Sequence, residues 1–172
     1  NCNFQVMDAL DLKFEDGVFD GAWSVEAGAH MKNKSKYAEE MLRVLRPNGF
    51  LAIADWNSRD LSMHPPSFLE KIVLNQLLEQ WVHPKFISIN DFRNILSKSK
   101  NSSGKVSSDN WNFYTNPSWI DSIFEGIRRP NAILSLGPSA LLKSSREIPT
   151  ILLMYWAFKK GLMEFGVYKC RG

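Results

Sequence analysis

Two apolar runs with a helix-period segment between them constrain this chain more than any other feature. Phe19 to Val25 and Phe50 to Trp56 are short and largely apolar, the pattern of strands buried on both faces. Between them, Lys34 to Leu45 sets Tyr37, Ala38, Met41, Leu42 and Leu45 on one helical face, with Glu39 and Arg43 as a favourably oriented i,i+4 pair. Arg46-Pro47-Asn48-Gly49 stops that helix and turns the chain. Strand, helix and strand with short connections form a βαβ unit, which predicts a parallel sheet covered by helices. Ligands of such sheets sit beyond the carboxyl ends of the strands. With Phe4 to Met7 read as an earlier strand, Asp8, Glu26 and Asp55 each fall at or just after such an end.

Further along, Ser67 to Trp81 reads as an amphipathic helix, and Ser88 as the N-cap of another that runs to Leu96. Val106 to Tyr114 is expected to be a strand, 117 to 165 to be helical and rich in large apolar residues, and Val167 to Cys170 to be the last strand. Within the helical part, ILLMYWAF is far shorter than the roughly 20 apolar residues of a membrane span. Two readings stand for it: an internal core helix, or a lid over an apolar ligand that also touches a membrane surface.

The 172 residues suit one domain with a sizeable core. A net charge of +3 without a long basic run gives nucleic-acid binding little support. Cys2 and Cys170 form no CxxC pair, so neither a disulfide framework nor a metal site is expected, which fits a reducing compartment. Asn1 stands where Met opens most chains, and strand-like sequence follows within a few residues. The chain is therefore expected to belong to something longer.

WSVEAGAHM, at the end of the Phe19–Val25 run, joins a carboxylate, three small residues and an imidazole. Small residues admit a close neighbour, and Glu26 and His30 are proton-handling groups. The same residues also suit a plain strand end, with Glu26 capping the next helix and His30 at the surface.

The order MDALDLKFEDGVFDGAWSVEAGAHM, then EEMLRVLRPNGFLAIADW, resembles class I S-adenosylmethionine-dependent methyltransferases. More narrowly it is similar to the cyanobacterial and plastid branch that methylates prenylated quinols and tocopherols, related to sterol C-24 methyltransferases. LLEQWVHPKF, PSWIDSIFEGIRRP and REIPTILLMYWAFKKGLMEFG resemble the C-terminal part of that branch, so the resemblance covers essentially the whole chain. LRPNG is common to many methyltransferases, whereas WSVEAGAHM is specific to the quinol and sterol branch.

The resemblance implies an α/β fold, a Rossmann-like methyltransferase sheet with helices on both faces and a C-terminal helical substrate cap. The chain would begin at the third strand, lacking the first strand with its glycine-rich turn and the acidic end of the second. Residues 1–57 would form the cofactor-side strands and helix, 58–112 helices and a late strand, 113–165 the apolar cap, and 166–172 the last strand.

The resemblance assigns Asp8 to the adenine amino group of S-adenosylmethionine, with the Ala9 backbone beside the ring and Ser24 and Val25 under the cofactor. A cap of a helical turn is the other reading of Asp8. Glu26 and His30 become the catalytic pair: His30 as base for a quinol hydroxyl, Glu26 orienting it, binding the hydroxyl or stabilising positive charge. Asp55, Trp56, His83, Trp111 and Trp119 are the expected substrate contacts, with core packing the alternative for each aromatic.

The expected activity is a C-methyltransferase acting on a prenylated quinol, tocopherol or sterol-like lipid. Its partner would be an apolar small molecule, not nucleic acid, and its place cytoplasmic or peripheral to a photosynthetic membrane. A methyltransferase for a smaller acceptor and an inactive Rossmann-like binding module are the competing readings.

Overall fold

The computed structural model describes residues 2–129, 135 and 137–172. Four strands, β1 (Phe19–Val25), β2 (Leu45–Ser58), β3 (Ser107–Asn110) and β4 (Met163–Arg171), form one sheet in the order β1-β2-β4-β3. As the βαβ reading predicts, β1 and β2 are parallel and joined through α1 (Lys34–Arg43). The sheet is nevertheless mixed, because β4 lies between β2 and β3 and runs antiparallel to both.

Helices cover both faces. On one, α1 and α3 (Ile89–Lys98) pack Tyr37, Leu42, Phe92 and Leu96 with Leu51, Ile53 and Tyr168. On the other, α2 (Phe68–Gln80) and α5 (Pro138–Lys159) bring Leu77, Met154 and Phe158 to Phe165 and Val167. Successive residues of β2 and β4 alternate between the two cores, as a pleated strand requires. Asn33, Ser67 and Ser88 cap α1, α2 and α3 with their side chains. Among the described residues no helix is long and apolar enough to cross a membrane.

Several expectations change. Phe4 to Met7 is not a strand; Phe4 and Val6 are fully exposed, and no described strand lies beside them to take their hydrogen bonds. The β1 strand is the edge of the sheet rather than doubly buried, with Trp23 79% and Val25 53% exposed. The RPNG segment forms a bulge: Phe19 faces Leu45 and Gly21 faces Phe50, so the residues between loop out of β2, with Asn48 at φ 67°.

The strand expected over 106–114 stops at Asn110. The Asn112 side chain there accepts from Phe165 N–H at 2.7 Å and donates to Met163 O at 3.0 Å, which fixes the start of α4 (Asn112–Arg128) against β4. The last strand is longer than predicted, Met163–Arg171. Arg43 pairs with Glu40 and Asp16, not with exposed Glu39. Residues 130–134 and 136, within the predicted helical stretch, lie outside the described residues.

Candidate active site

The site is built on the turn that follows β1. Glu26 N–H still donates to Ala54 O of β2 at 2.8 Å, but its φ of 53° breaks the strand there. Gly28–His30 then makes one 3-10 turn, with Met31 N–H donating to Gly28 O at 3.0 Å. Glu26 and His30 are exposed, while Gly28 and Ala29 are buried. A Cβ on residue 28 would overlap the Asp55 carboxylate and lie 2.9 Å from Tyr37 Cε1. Gly28 of WSVEAGAHM therefore serves internal packing.

Beneath the turn lies a buried polar group. Asp55 is 4% exposed and Oδ1 accepts from its neighbour Trp56 N–H at 2.9 Å. Burial pushes its carboxyl up to about 6, against the pull of the Trp56 and Ala29 backbone amides and the Lys34 charge. Lys34 folds back from α1 and donates to Gly28 O at 2.5 Å and Ala29 O at 2.9 Å. Burial lowers its ammonium to about 8. The Tyr37 hydroxyl, near Ser24, has no well-formed hydrogen bond among the described residues, and burial raises it to about 12. The remaining void here, lined by Gly28, Lys34, Asp55, Trp56, Asn57, Ile87 and Phe92, is only about 10 Å³. Asp55, expected as a substrate contact, supports the turn from below instead.

Above the turn, His30 stacks on His83 with ring centroids 4.0 Å apart and planes 26° apart. His83 is 8% exposed, and neither of its ring nitrogens makes a well-formed hydrogen bond among the described residues. Burial, then the neighbouring His30, lowers it to about 4, so it is neutral at physiological pH. Trp56 lies 5.6 Å from His83, 5.5 Å from Trp81 and 6.0 Å from Trp119. Trp119 in turn stacks on Phe158 of α5 at 5.5 Å. The Trp56 indole N–H also lacks a partner among the described residues, whereas Trp81 donates to Glu147 at 3.2 Å.

The structure thus gathers His30, His83, Trp56 and Trp119 at the carboxyl ends of β1 and β2. It does not gather Trp111, whose ring meets Tyr114 at 5.5 Å outside this group. Lys34, Trp81 and Phe86, the last 5.2 Å from His83, were not foreseen. For Lys34 a signal existed: with Tyr37 at i+3 it shares the face of α1 turned to the sheet.

On the cofactor side, Asp8 is exposed in a turn, and Oδ1 accepts from Leu10 N–H at 2.8 Å, an Asx turn with no helix behind it. The other carboxylate oxygen has no partner among the described residues. Ala9 packs against the first core. Val25 and Ser24 follow on the edge strand, exposed and half-buried respectively. Exposed or half-exposed residues, one with a free acceptor oxygen, fit a flat base with an exocyclic amine.

Comparison with known proteins adds to this geometry. Residues 1–53 match the methyltransferase domain family model. Over 96% of its length the chain is 49% identical to 2-methyl-6-phytyl-1,4-hydroquinone methyltransferase of Synechocystis, spanning 52% of that protein. It is 33% identical to chloroplastic tocopherol O-methyltransferase of Arabidopsis thaliana, over 98% of this chain and 48% of that one. The chain thus spans about half the length of these curated relatives.

Among solved structures, Haemonchus contortus phosphoethanolamine N-methyltransferase 2 in complex with S-adenosyl-L-methionine shares the fold. Its TM-score is 0.78 at 13% identity, over 95% of this chain and 35% of that one. With the βαβ unit, the mixed sheet and the WSVEAGAHM turn in place, the chain carries the methyltransferase-domain match over residues 1–53 and is similar over nearly its whole length to prenyl-hydroquinone and tocopherol methyltransferases.

Proposed function

We propose that this chain carries the acceptor side of an S-adenosylmethionine-dependent C-methyltransferase for a prenylated hydroquinone. The observation that carries the reading is the His30–His83–Trp56–Trp119 group at the strand ends, in a chain 49% identical to a phytyl-hydroquinone methyltransferase. Asp8 and Ala9 would hold the adenine and Ser24 and Val25 the edge beneath it. When bound, S-adenosylmethionine supplies an electrophilic methyl group with a neutral thioether leaving group.

The chemistry left to the protein is positioning and proton removal. A quinol ring carbon becomes nucleophilic when its hydroxyl ionises, and a phenol pKa near 10 makes that about 4 kcal/mol uphill at pH 7. His30, the exposed imidazole of the stacked pair, accepts this proton. The uncharged face of His83 backs it, and Glu26 stands at the rim to bind the other hydroxyl or steady positive charge. The indoles of Trp56 and Trp119 line the path for the prenyl tail, whose burial contributes roughly 0.8 kcal/mol per CH₂. We infer a cytoplasmic protein that meets, by peripheral contact, the membrane holding a lipid acceptor of this kind.

The test is a screen of the full gene product with labelled cofactor against hydroquinones, tocopherols and sterols. Label is expected on a ring carbon of the prenylated hydroquinone. Transfer only to small unprenylated acceptors, or to none while cofactor binds, would replace this reading by one of its alternatives.

A further inference from the structure

We propose that Lys34 and Asp55 are positioning residues for His30, holding the Gly28–His30 turn from its carbonyl side and from below. The proposal rests on the reading of His30 as proton acceptor and adds the device that fixes where its imidazole stands.

The geometry is specific. A single 3-10 turn has too few internal hydrogen bonds to hold its own place, and the ring of exposed His30 rests on the His83 face. Lys34 Nζ ends between the carbonyls of Gly28 and Ala29 and is half-buried there, although a lysine ordinarily carries its charged head into water. The carboxylate of Asp55 fills the space that a side chain on residue 28 would need, so only glycine lets the turn settle onto it. The charges around this carboxylate are few: the Lys34 ammonium attracts it, Glu26 repels it, and the tyrosines at 37 and 168 adjoin it uncharged. Burial costs both the ammonium and the carboxylate their solvation, and packing alone would be satisfied by apolar groups of the same size. What the pair adds is a fixed height and tilt for the three residues that end in the imidazole.

Lys34→Met removes both turn bonds, Lys34→Arg keeps a donor, and Lys32→Met is the control on an exposed neighbouring lysine. In the full gene product, Lys34→Met is expected to move the His30 ring resonances in imidazole NMR spectra, because the His83 stack is disturbed. It is also expected to lower kcat by roughly 100-fold with the S-adenosylmethionine Kd unchanged. Lys34→Arg should restore part of both, and Lys32→Met should alter neither. Should Lys34→Met not fold, Asp55→Asn, nearly isosteric, is read by the same spectra. Wild-type His30 resonances and kcat in a folded Lys34→Met or Asp55→Asn protein would overturn the proposal. The underlying reading fails separately, on unchanged kcat in His30→Gln, and that result leaves the ring-resonance test of the pinned turn in Lys34→Met standing.

Discussion

Arg43 reaches from α1 across to a loop nearly thirty residues away and holds it with Glu40, its neighbour one helical turn back. Its Nη2 donates to Glu40 at 2.8 Å and to Leu12 O at 2.8 Å, and its Nη1 donates to Phe14 O at 2.8 Å. Glu40 closes the circuit by accepting from Leu12 N–H at 2.9 Å. The loop so tied begins with Asp8 and has no strand or helix of its own. Its shape is therefore set by this pair rather than by its own backbone pairing.

Glu40→Gln should accordingly cost about 3 kcal/mol in denaturant unfolding, since it leaves a partly buried guanidinium with only the exposed Asp16 as counter-charge. The side chain of Glu40 is 5% exposed, and its bond to Arg43 holds the carboxyl down at about 2, below its ordinary 4.5. A folded-state value below the unfolded one means that the contribution is complete above pH 4.5 and lost as pH falls towards 2. The variant should thus lose most against wild type near neutrality and least near pH 2. If the loop positions cofactor, its KM for S-adenosylmethionine should rise while kcat changes little. A flat stability difference across pH would show that the pair is not the cause.

Asp55 and His83 make a second, opposed pH effect. Asp55 goes up from 3.8 to about 6, so its folded form binds more protons than the unfolded chain in that window, and stability falls as pH rises. His83 goes down from 6.5 to about 4, so its folded form binds fewer, and stability rises with pH over much the same window. Between about pH 4.5 and 6, above the range where Glu40 titrates, the two largely cancel. Asp55→Asn should expose a stability that climbs with pH, and His83→Gln one that declines. Urea midpoints of both variants across this window check the signs, and parallel slopes would reject the account.

Much of this was legible in the sequence, and the unread part has a common physical origin. The βαβ unit and its capped helices rest on local periodicity and on side chains that bond their own neighbours, as at Ser67 and Ser88. Phe4 to Met7 and β1 were misjudged because burial depends on what pairs with a strand, and apolar content does not state that. The site was half visible. His30 and Glu26 could be picked out by type and position, but the inward course of Lys34 and Asp55 is a tertiary fact. That Gly28 is small because Asp55 sits where its side chain would be depends on two positions far apart in sequence.

Gly28→Ala follows from that contact. The added methyl overlaps the Asp55 carboxylate and crowds Tyr37, neither of which can swing into solvent. Overpacking of this kind costs about 1–3 kcal/mol. Gly28→Ala with Asp55→Ala should be more stable than the sum of the single effects, because the second change removes the clash. A thermal-melt cycle over the four proteins measures it, and strict additivity would contradict the contact.

Glu26 and His30 differ from Gly28 in being exposed, so their replacement tests chemistry rather than folding. Glu26→Gln keeps shape and removes charge at a residue whose left-handed backbone already marks the end of β1. Its kcat should fall at least tenfold, by roughly 1.4 kcal/mol or more in barrier, with the Kd for S-adenosylmethionine within a few-fold of wild type. Equal loss of both would move Glu26 to the cofactor side.

Trp119 and Trp111 were equivalent candidates in sequence, and the structure separates them. Trp119 lies between Trp56 and Phe158, whereas the Trp111 ring rests on Tyr114 near the start of α4. If the indole group is the path of the prenyl tail, Trp119→Ala removes apolar contact from it. Losing a few methylene equivalents at about 0.8 kcal/mol each raises KM for a prenylated hydroquinone by roughly tenfold or more. The same change should leave KM for the unprenylated ring nearly untouched, which separates tail binding from ring binding. Trp111→Ala should move neither value beyond what its melting temperature explains. Steady-state kinetics with the two acceptors on the two variants decide it, and equal sensitivity at positions 111 and 119 would disconnect the indole group from the substrate.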